Sequence, residues 1–191
     1  MITYNDITGV ILAGGKSSRM GKDKALLEFH GKPILQHVIE TMKQVFDRVI
    51  IIANDQRPYR LSGLEVFSDI YVGCGPLGGI HSAFFHTFSD KLFIIACDTP
   101  NISPDLIRYV CDFHSSSIAK VPFAEGTLHP LIGLYRRDCL PMLLSHLESN
   151  RLKMATFLDA IEAERIPISE SLSFYKPGLI RNMNCEADLS Q

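Results

Sequence analysis

Short β-branched runs alternate with longer stretches of helical period along this chain, the pattern expected of a mostly parallel sheet covered by helices. The first run, Ile7 to Leu12, reads as a buried strand. Pro33 then opens a predicted helix, because its fixed φ suits the first turn. Behind it Ile34, Leu35, Val38, Ile39, Met42, Val45 and Phe46 recur at helical spacing and predict one buried face. Arg48 to Ala53 reads as the second strand and Leu64 to Phe67 as a shorter third. After the turn at Gly73-Cys74-Gly75-Pro76, residues Leu77 to Phe88 predict a helix, and Lys91 to Ala96 the most apolar strand. Ser103 and Pro104 have the character of an N-cap and first turn for a helix running toward His114. Beyond it, Ile118 to Phe123 and Leu131 to Tyr135 read as strands, and Asp138 to Leu147 and Leu152 to Ile161 as helices. The stretch from Ser169 onward has no clear period. With no repeat, low-complexity tract or linker, one domain over residues 1–191 is expected.

Composition narrows the class without naming a chemistry. A hydrophobic share of 46% against 21% charged residues excludes wholesale disorder. The formal net charge of -2 gives no global attraction to nucleic acid or an anionic membrane, so any bound anion must be held by a local cluster. Neither partner is expected. Cys74, Cys97, Cys111, Cys139 and Cys185 are odd in number and irregularly spaced, with no C-x-x-C, which fits reduced thiols rather than a disulfide framework or a zinc site. Residues 1–15 lack a basic region ahead of their short apolar run, and no run reaches membrane-spanning length. A cytoplasmic protein is expected.

The local cluster sits directly after the first strand. Gly14, Gly15, Lys16, Ser17, Ser18, Arg19, Gly21, Lys22, Asp23 and Lys24 form a glycine-bearing, basic turn. Glycines let backbone N–H groups approach a ligand, and successive N–H groups form a concavity for anions. Arg19 and Lys24 add full charges. The loop is not a Walker A motif, since five residues separate Gly15 from Gly21 and Asp23 follows Lys22; nor does it contain G-x-G-x-x-G. A solvated basic turn is the alternative. Asp98 follows the most apolar strand, where ligands of open α/β sheets collect, and a hard carboxylate there is an expected Mg²⁺ ligand. Read alone, Asp98 is equally an ordinary turn residue of Asp-Thr-Pro. Asp69 and Asn54 follow the third and second strands, and are candidates for the same crevice on position alone. His129, before Pro130, is a weaker candidate for an acceptor phosphate, and His37 reads as a structural residue within a helix.

The segment LAGGKSSRMGKDKALLEFHGKPILQHV resembles the opening of the molybdenum cofactor guanylyltransferases, and the likeness continues through SGLEVFSD, GPLGGIHSA, FIIACDTPNISPDL and HPLIGLYRRDCLPMLLSHL. The resemblance implies an α/β, three-layer, Rossmann-like nucleotidyltransferase fold of the glycosyltransferase-A-like kind, with a mostly parallel mixed sheet. It implies a nucleotide-binding half of about residues 1–100 and an acceptor half of about residues 101–191. It further implies a GTP site made by Leu12, Ala13, Gly14, Gly15, Lys24 and Asp69, with Asp98 binding both nucleotide and Mg²⁺. Arg19, Lys24 and Asp98 are the implied catalytic residues, the two cations stabilising charge on the leaving pyrophosphate. The expected substrates are GTP and molybdopterin, whose terminal phosphate attacks the α-phosphorus; other cofactor-assembly proteins are possible partners and a monomer is expected. Asn182 and Asn184 look like the family's acceptor-side asparagines, although Cys185, Glu186 and Ala187 depart from its usual T-P-E. Arg151 and Lys153 stand where the family tends to carry paired arginines. The alternatives are a sister enzyme using CTP or a sugar or alcohol phosphate acceptor, and a non-catalytic GTP-binding module.

Overall fold

The buried first run extends to β1, Tyr4–Leu12, in a computed structural model that describes residues 3–13 and 24–183. Of Lys24 it describes only a place at the start of a short 3-10 turn, Lys24–Leu26. Two short strands follow, β2 (Glu28–Phe29) and β3 (Lys32–Pro33), paired antiparallel as a small ribbon. Then come α1 (Ile34–Lys43), β4 (Phe46–Ile52) and β5 (Glu65–Phe67). They are followed by α2 (Gly75–Thr87), β6 (Lys91–Ala96) and α3 (Pro104–Asp112). The rest is β7 (Ala119–Ala124), β8 (Thr127–Leu128), β9 (Ile132–Arg136), α4 (Leu140–Glu148), α5 (Met154–Ala160) and β10 (Glu164–Pro167).

Seven strands lie in the order β10-β7-β9-β6-β1-β4-β5, with β8 added to β7. The block β6-β1-β4-β5 is parallel throughout, while β9 runs antiparallel to both β6 and β7, and β10 is parallel to β7. The sheet is therefore mixed and mostly parallel, as the sequence implies. Strand alternation explains the three layers. Ile7 and Ile11 of β1, Val49 and Ile51 of β4, and Phe93 and Ile95 of β6 face the α1 and α3 side. Val10, Ile50, Ile52, Leu92 and Ile94 face the side of α2, α4 and α5. Both faces are covered, so these strands read as continuous apolar runs rather than alternating ones.

Several predicted elements shift by a residue or two. Pro33 is the N-cap of α1 with ψ at 141°, extended rather than helical, and belongs to β3. Val45 and Phe46 are buried as predicted, but α1 has already ended and Phe46 opens β4, so their burial comes from the strand-side core. The Ser103 hydroxyl accepts the Leu106 N–H at 3.2 Å, the cap its sequence context announces. The strands β2, β3, β8 and β10 carry no periodic signal. In β10 a single residue, Ile166, is buried between charged Arg165 and Pro167.

Candidate active site

Backbone hydrogen bonds bring the carboxyl ends of four parallel strands to one level. Leu12 is in register with Ile52 on one side and Ala96 on the other. Past it, the Ala13 N–H donates to the Ile52 carbonyl at 2.9 Å and the Cys97 N–H to the Leu12 carbonyl at 3.1 Å. The Ala53 N–H donates to the Phe67 carbonyl at 2.8 Å. The next residues along the chain are those singled out by sequence: the loop after Ala13, then Asn54, Asp69 and Asp98. Parallel strands give this convergence by topology, since each one ends at the same edge.

Asn54 and Asp69 form a reciprocal pair. The Asn54 Nδ2 donates to Asp69 Oδ2 at 2.8 Å, and the Asp69 N–H donates to Asn54 Oδ1 at 3.1 Å. This closes one carboxylate oxygen and fixes the plane of the group. Asp69 Oδ1 is buried and has no hydrogen-bond partner among the described residues. Burial raises the Asp69 carboxyl above its ordinary range, and the Asn54 bond acts against that rise. An acceptor oxygen kept in that state costs about 1–3 kcal/mol. A ligand N–H or O–H donor arriving there would recover the loss.

The loop that carries Asp69 is pressed into place by α2. The Ile70 N–H donates to Ser82 Oγ at 2.8 Å, and that hydroxyl donates onward to the Gly78 carbonyl at 2.8 Å. A Cβ at Gly78 would lie 2.6 Å from the Tyr71 carbonyl oxygen, and one at Gly79 would lie 3.0 Å from Leu12 Cδ2. The two glycines let the first turns of α2 touch both the loop and the end of β1.

On the other side of β6 the chain returns from its C-terminal segment. The Met183 N–H donates to the Asp98 carbonyl at 2.8 Å, and Thr99, fully buried, donates its hydroxyl to Asn182 Oδ1 at 3.3 Å. Asn101 Nδ2 reaches the Gly178 carbonyl at 3.5 Å. Between this segment and the end of β7 lies a cleft of about 900 Å³, lined among others by His129, Tyr175, Lys176, Arg181 and Asn182. His129 is held through its backbone: its N–H donates to the Pro122 carbonyl at 2.9 Å, and its carbonyl accepts from the Ile132 N–H at 3.0 Å. Burial lowers the pKa of its imidazole, which keeps it neutral at pH 7.

The structure thus gathers Leu12, Ala13, Asn54, Asp69 and Asp98 at the strand ends, and places His129 and Asn182 in the neighbouring cleft. Gly14, Gly15, Arg19 and Asn184, like the side chain of Lys24, lie outside the described residues. Arg151 and Lys153 are not among the residues lining the cleft. Arg151 Nε donates to Ser149 Oγ at 2.8 Å and its Nη2 to Ser145 Oγ at 3.4 Å, a local arrangement at the end of α4. His37 bonds the Phe29 carbonyl through Nε2 at 2.7 Å, consistent with a structural role. Cys111 and Cys139 are buried, and burial pushes the Cys139 thiol up to about 12, so neither is a nucleophile at neutral pH. Thr99 and the cleft residues Tyr175, Lys176 and Arg181 are not evident in the sequence, although Thr99 stands inside the Asp-Thr-Pro turn.

Among the described residues no group of three or more His, Cys, Asp or Glu side chains could enclose a metal ion. The strand ends carry two half-buried carboxylates, Asp69 and Asp98. That suits magnesium, which keeps waters and is commonly held by one or two carboxylates plus substrate phosphates rather than by a protein cage.

Residues 9–164 match the family model of the MobA-like NTP transferase domain. The chain belongs to this family. Among its MobA-like relatives, the molybdenum cofactor guanylyltransferase of Yersinia pestis is 36% identical over 186 residues, covering 96% of this chain and 93% of the relative. Among solved structures, molybdopterin-guanine dinucleotide biosynthesis protein A of Archaeoglobus fulgidus superposes with a TM-score of 0.80 at 22% identity, over 95% and 94% of the two chains. A 4-diphosphocytidyl-2C-methyl-D-erythritol synthase of Anaerococcus prevotii superposes at 0.73 with 10% identity, over 97% and 93%. These two show the nucleotidyltransferase fold. No helix among the described residues is long and apolar enough to cross a membrane.

Proposed function

We infer that this MobA-like chain is a molybdenum cofactor guanylyltransferase: it transfers GMP from GTP to the terminal phosphate of molybdenum-bearing molybdopterin, forming the guanine dinucleotide and releasing pyrophosphate. The observation that carries this reading is the 36% identity to a guanylyltransferase across 96% of the chain. The geometry supports it. GTP lies along the carboxyl ends of the parallel strands, contacting Leu12 and Ala13, with Asp69 Oδ1 accepting a donor from the nucleoside and Asn54 fixing the Asp69 carboxylate. Gly14 and Gly15 cradle the phosphates, with Arg19 and Lys24 supplying charge to the leaving pyrophosphate. Mg²⁺ held by Asp98 would neutralise charge on the reacting phosphates. Asn182 and His129 line the acceptor cleft, and Asn184 serves the same acceptor.

A phosphate oxygen of the acceptor attacks the α-phosphorus, a new P–O bond forms, and the bond from the α-phosphorus to the pyrophosphate oxygen breaks. The attacking phosphate is already an anion at neutral pH, so no general base is required; catalysis rests on positioning and charge neutralisation. We further expect a cytoplasmic monomer that receives molybdopterin from other cofactor-assembly proteins. The test is to supply purified protein with Mg²⁺, molybdenum-loaded molybdopterin and GTP, CTP, ATP or UTP, following pyrophosphate and the mass of the pterin product. A guanine dinucleotide with GTP alone is expected. Turnover with CTP would replace the base assignment, and GTP binding without any turnover would favour a binding module.

A further inference from the structure

The cleft beside Asp98 has a charge pattern that the reading above leaves unused. Its lining holds two cations, Lys176 and Arg181, one acid, Glu125, and a neutral imidazole, His129. Both cations stand on a short segment fixed by apolar anchors: Tyr175 packs partly buried against the core, and Leu179 and Met183 are buried. Anchors recurring every four residues leave the intervening Lys176 and Arg181 exposed. Tight turns hold the segment further, through the Leu179 N–H to the Lys176 carbonyl and the Arg181 N–H to the Gly178 carbonyl, both at 3.1 Å. Two residues past Arg181, the Met183 N–H is bonded to the Asp98 carbonyl. A cationic wall therefore begins next to the residue proposed to hold the metal, on the side of β6 away from β1.

We propose that Lys176 and Arg181 grip the phosphate of the pterin acceptor in this cleft and set its affinity, while the phosphates of GTP are held on the opposite side of β6. The proposal rests on the guanylyltransferase reading. Arg181, with a planar fork of donors, takes two phosphate oxygens, and Lys176 acts as a point charge farther out. Thr99 is a positioning residue here. By donating to Asn182 Oδ1 it leaves the Asn182 Nδ2 group to serve as a donor to the same acceptor. The neutral His129 adds shape and a hydrogen-bonding nitrogen without adding charge.

The test compares wild type with Lys176→Gln, Arg181→Gln, Arg181→Lys and the double glutamine variant, in steady-state kinetics with each substrate varied and in equilibrium binding of molybdopterin to the full chain. Each Gln variant is expected to raise the Michaelis constant for the acceptor about tenfold, the double variant more, with the constant for GTP and kcat little changed. Arg181→Lys should recover part of the affinity, and added salt should weaken acceptor binding less in the double variant than in wild type. An acceptor constant within about twofold of wild type in the double variant, while wild type forms the guanine dinucleotide, overturns the proposal and leaves the function standing. A raised GTP constant or relief of pyrophosphate inhibition, with acceptor binding intact, would move the cations to the nucleotide side and also overturn it. If wild type forms no dinucleotide, the guanylyltransferase reading fails, and molybdopterin binding alone then decides the cleft: unchanged binding in the double variant overturns the proposal, lost binding upholds it.

Discussion

On one side of β6 stand β1, β4 and β5, all parallel to it; on the other, β9, β7 and β10 change direction at each of the first two steps. The parallel side delivers every strand's carboxyl end to the same edge, so its candidate residues are found just after strands, as Asn54, Asp69 and Asp98 are. On the other side the antiparallel β9 brings its amino end to that edge, with Ile132 beside Ile95. The residue at the edge is then one that precedes a strand, His129, within the stretch 124–132 that lines one side of the cleft, and the other side comes from the irregular segment 175–182. The nucleotide side is tied by backbone bonds between strand ends. On the other side the Ala96 N–H donates to the Leu131 carbonyl at 3.0 Å, and the C-terminal segment is tied in through Met183, Thr99 and Asn101, one backbone and two side-chain hydrogen bonds. On the proposed assignment, the acceptor side can change without disturbing the parallel strand ends that hold the nucleotide.

The largest effect that would test this division is at the seam. Asp98→Asn should lower turnover about 10²–10³-fold with the fold retained, and chelation of Mg²⁺ should do the same to wild type, reversibly. Pyrophosphate release measures both, and a variant that keeps most of its rate removes Asp98 from the chemistry. Next comes the contact that seats the Asp69 loop. Gly78→Ala puts a methyl against the Tyr71 carbonyl oxygen, which no flexible side chain can relieve. It should cost about 1–3 kcal/mol and lower Tm by about 3–10 °C, while weakening GTP more than acceptor. A Tm within a degree of wild type in a thermal melt would show that the loop yields freely.

The smallest effect concerns Asp69 and has a sign fixed by its burial. Its folded pKa is raised, so the stability linked to this group is fully present below the ordinary carboxylate value and is lost as pH rises through the folded value. Above the folded value the ionised group opposes folding. Asp69→Asn should therefore raise Tm at pH 7 by about 1–2 °C and lose that advantage near pH 3–4, while GTP binding falls. Melts across pH check this, and a lower Tm at pH 7 would mean that Asp69 is held by attractions stronger than its desolvation.

The parallel half was legible because its strands are buried on both faces. Lys91 to Ala96 is a continuous apolar run, and its predicted bounds are those of β6. The Ser103 cap was equally plain, because capping is local chemistry. The strand β10 was missed, since only Ile166 marks it and its pairing with β7 is tertiary. The direction of β9 was also invisible, because an antiparallel neighbour needs no different residues. The same holds for the site. Following a strand made Asp98 and Asp69 candidates, but it took the glycine loop and the family resemblance to separate them from ordinary turn residues, whereas Thr99 looks like turn filler until Asn182 is brought to it from 83 residues away. Lys176 and Arg181 look like surface charges until the segment between Tyr175 and Met183 is seen to fold along a cleft.

The division of the site is tested most directly by the Michaelis constants for GTP and for molybdenum-loaded molybdopterin, measured together in wild type, Asp69→Asn, Thr99→Val and Thr99→Ser. The account predicts a crossed result: Asp69→Asn raises the GTP constant alone, and Thr99→Val raises the acceptor constant about two- to tenfold, with Thr99→Ser near wild type. If either variant raised both constants by the same factor, or if Thr99→Ser were as impaired as Thr99→Val, the two sides of β6 would not be separate half-sites.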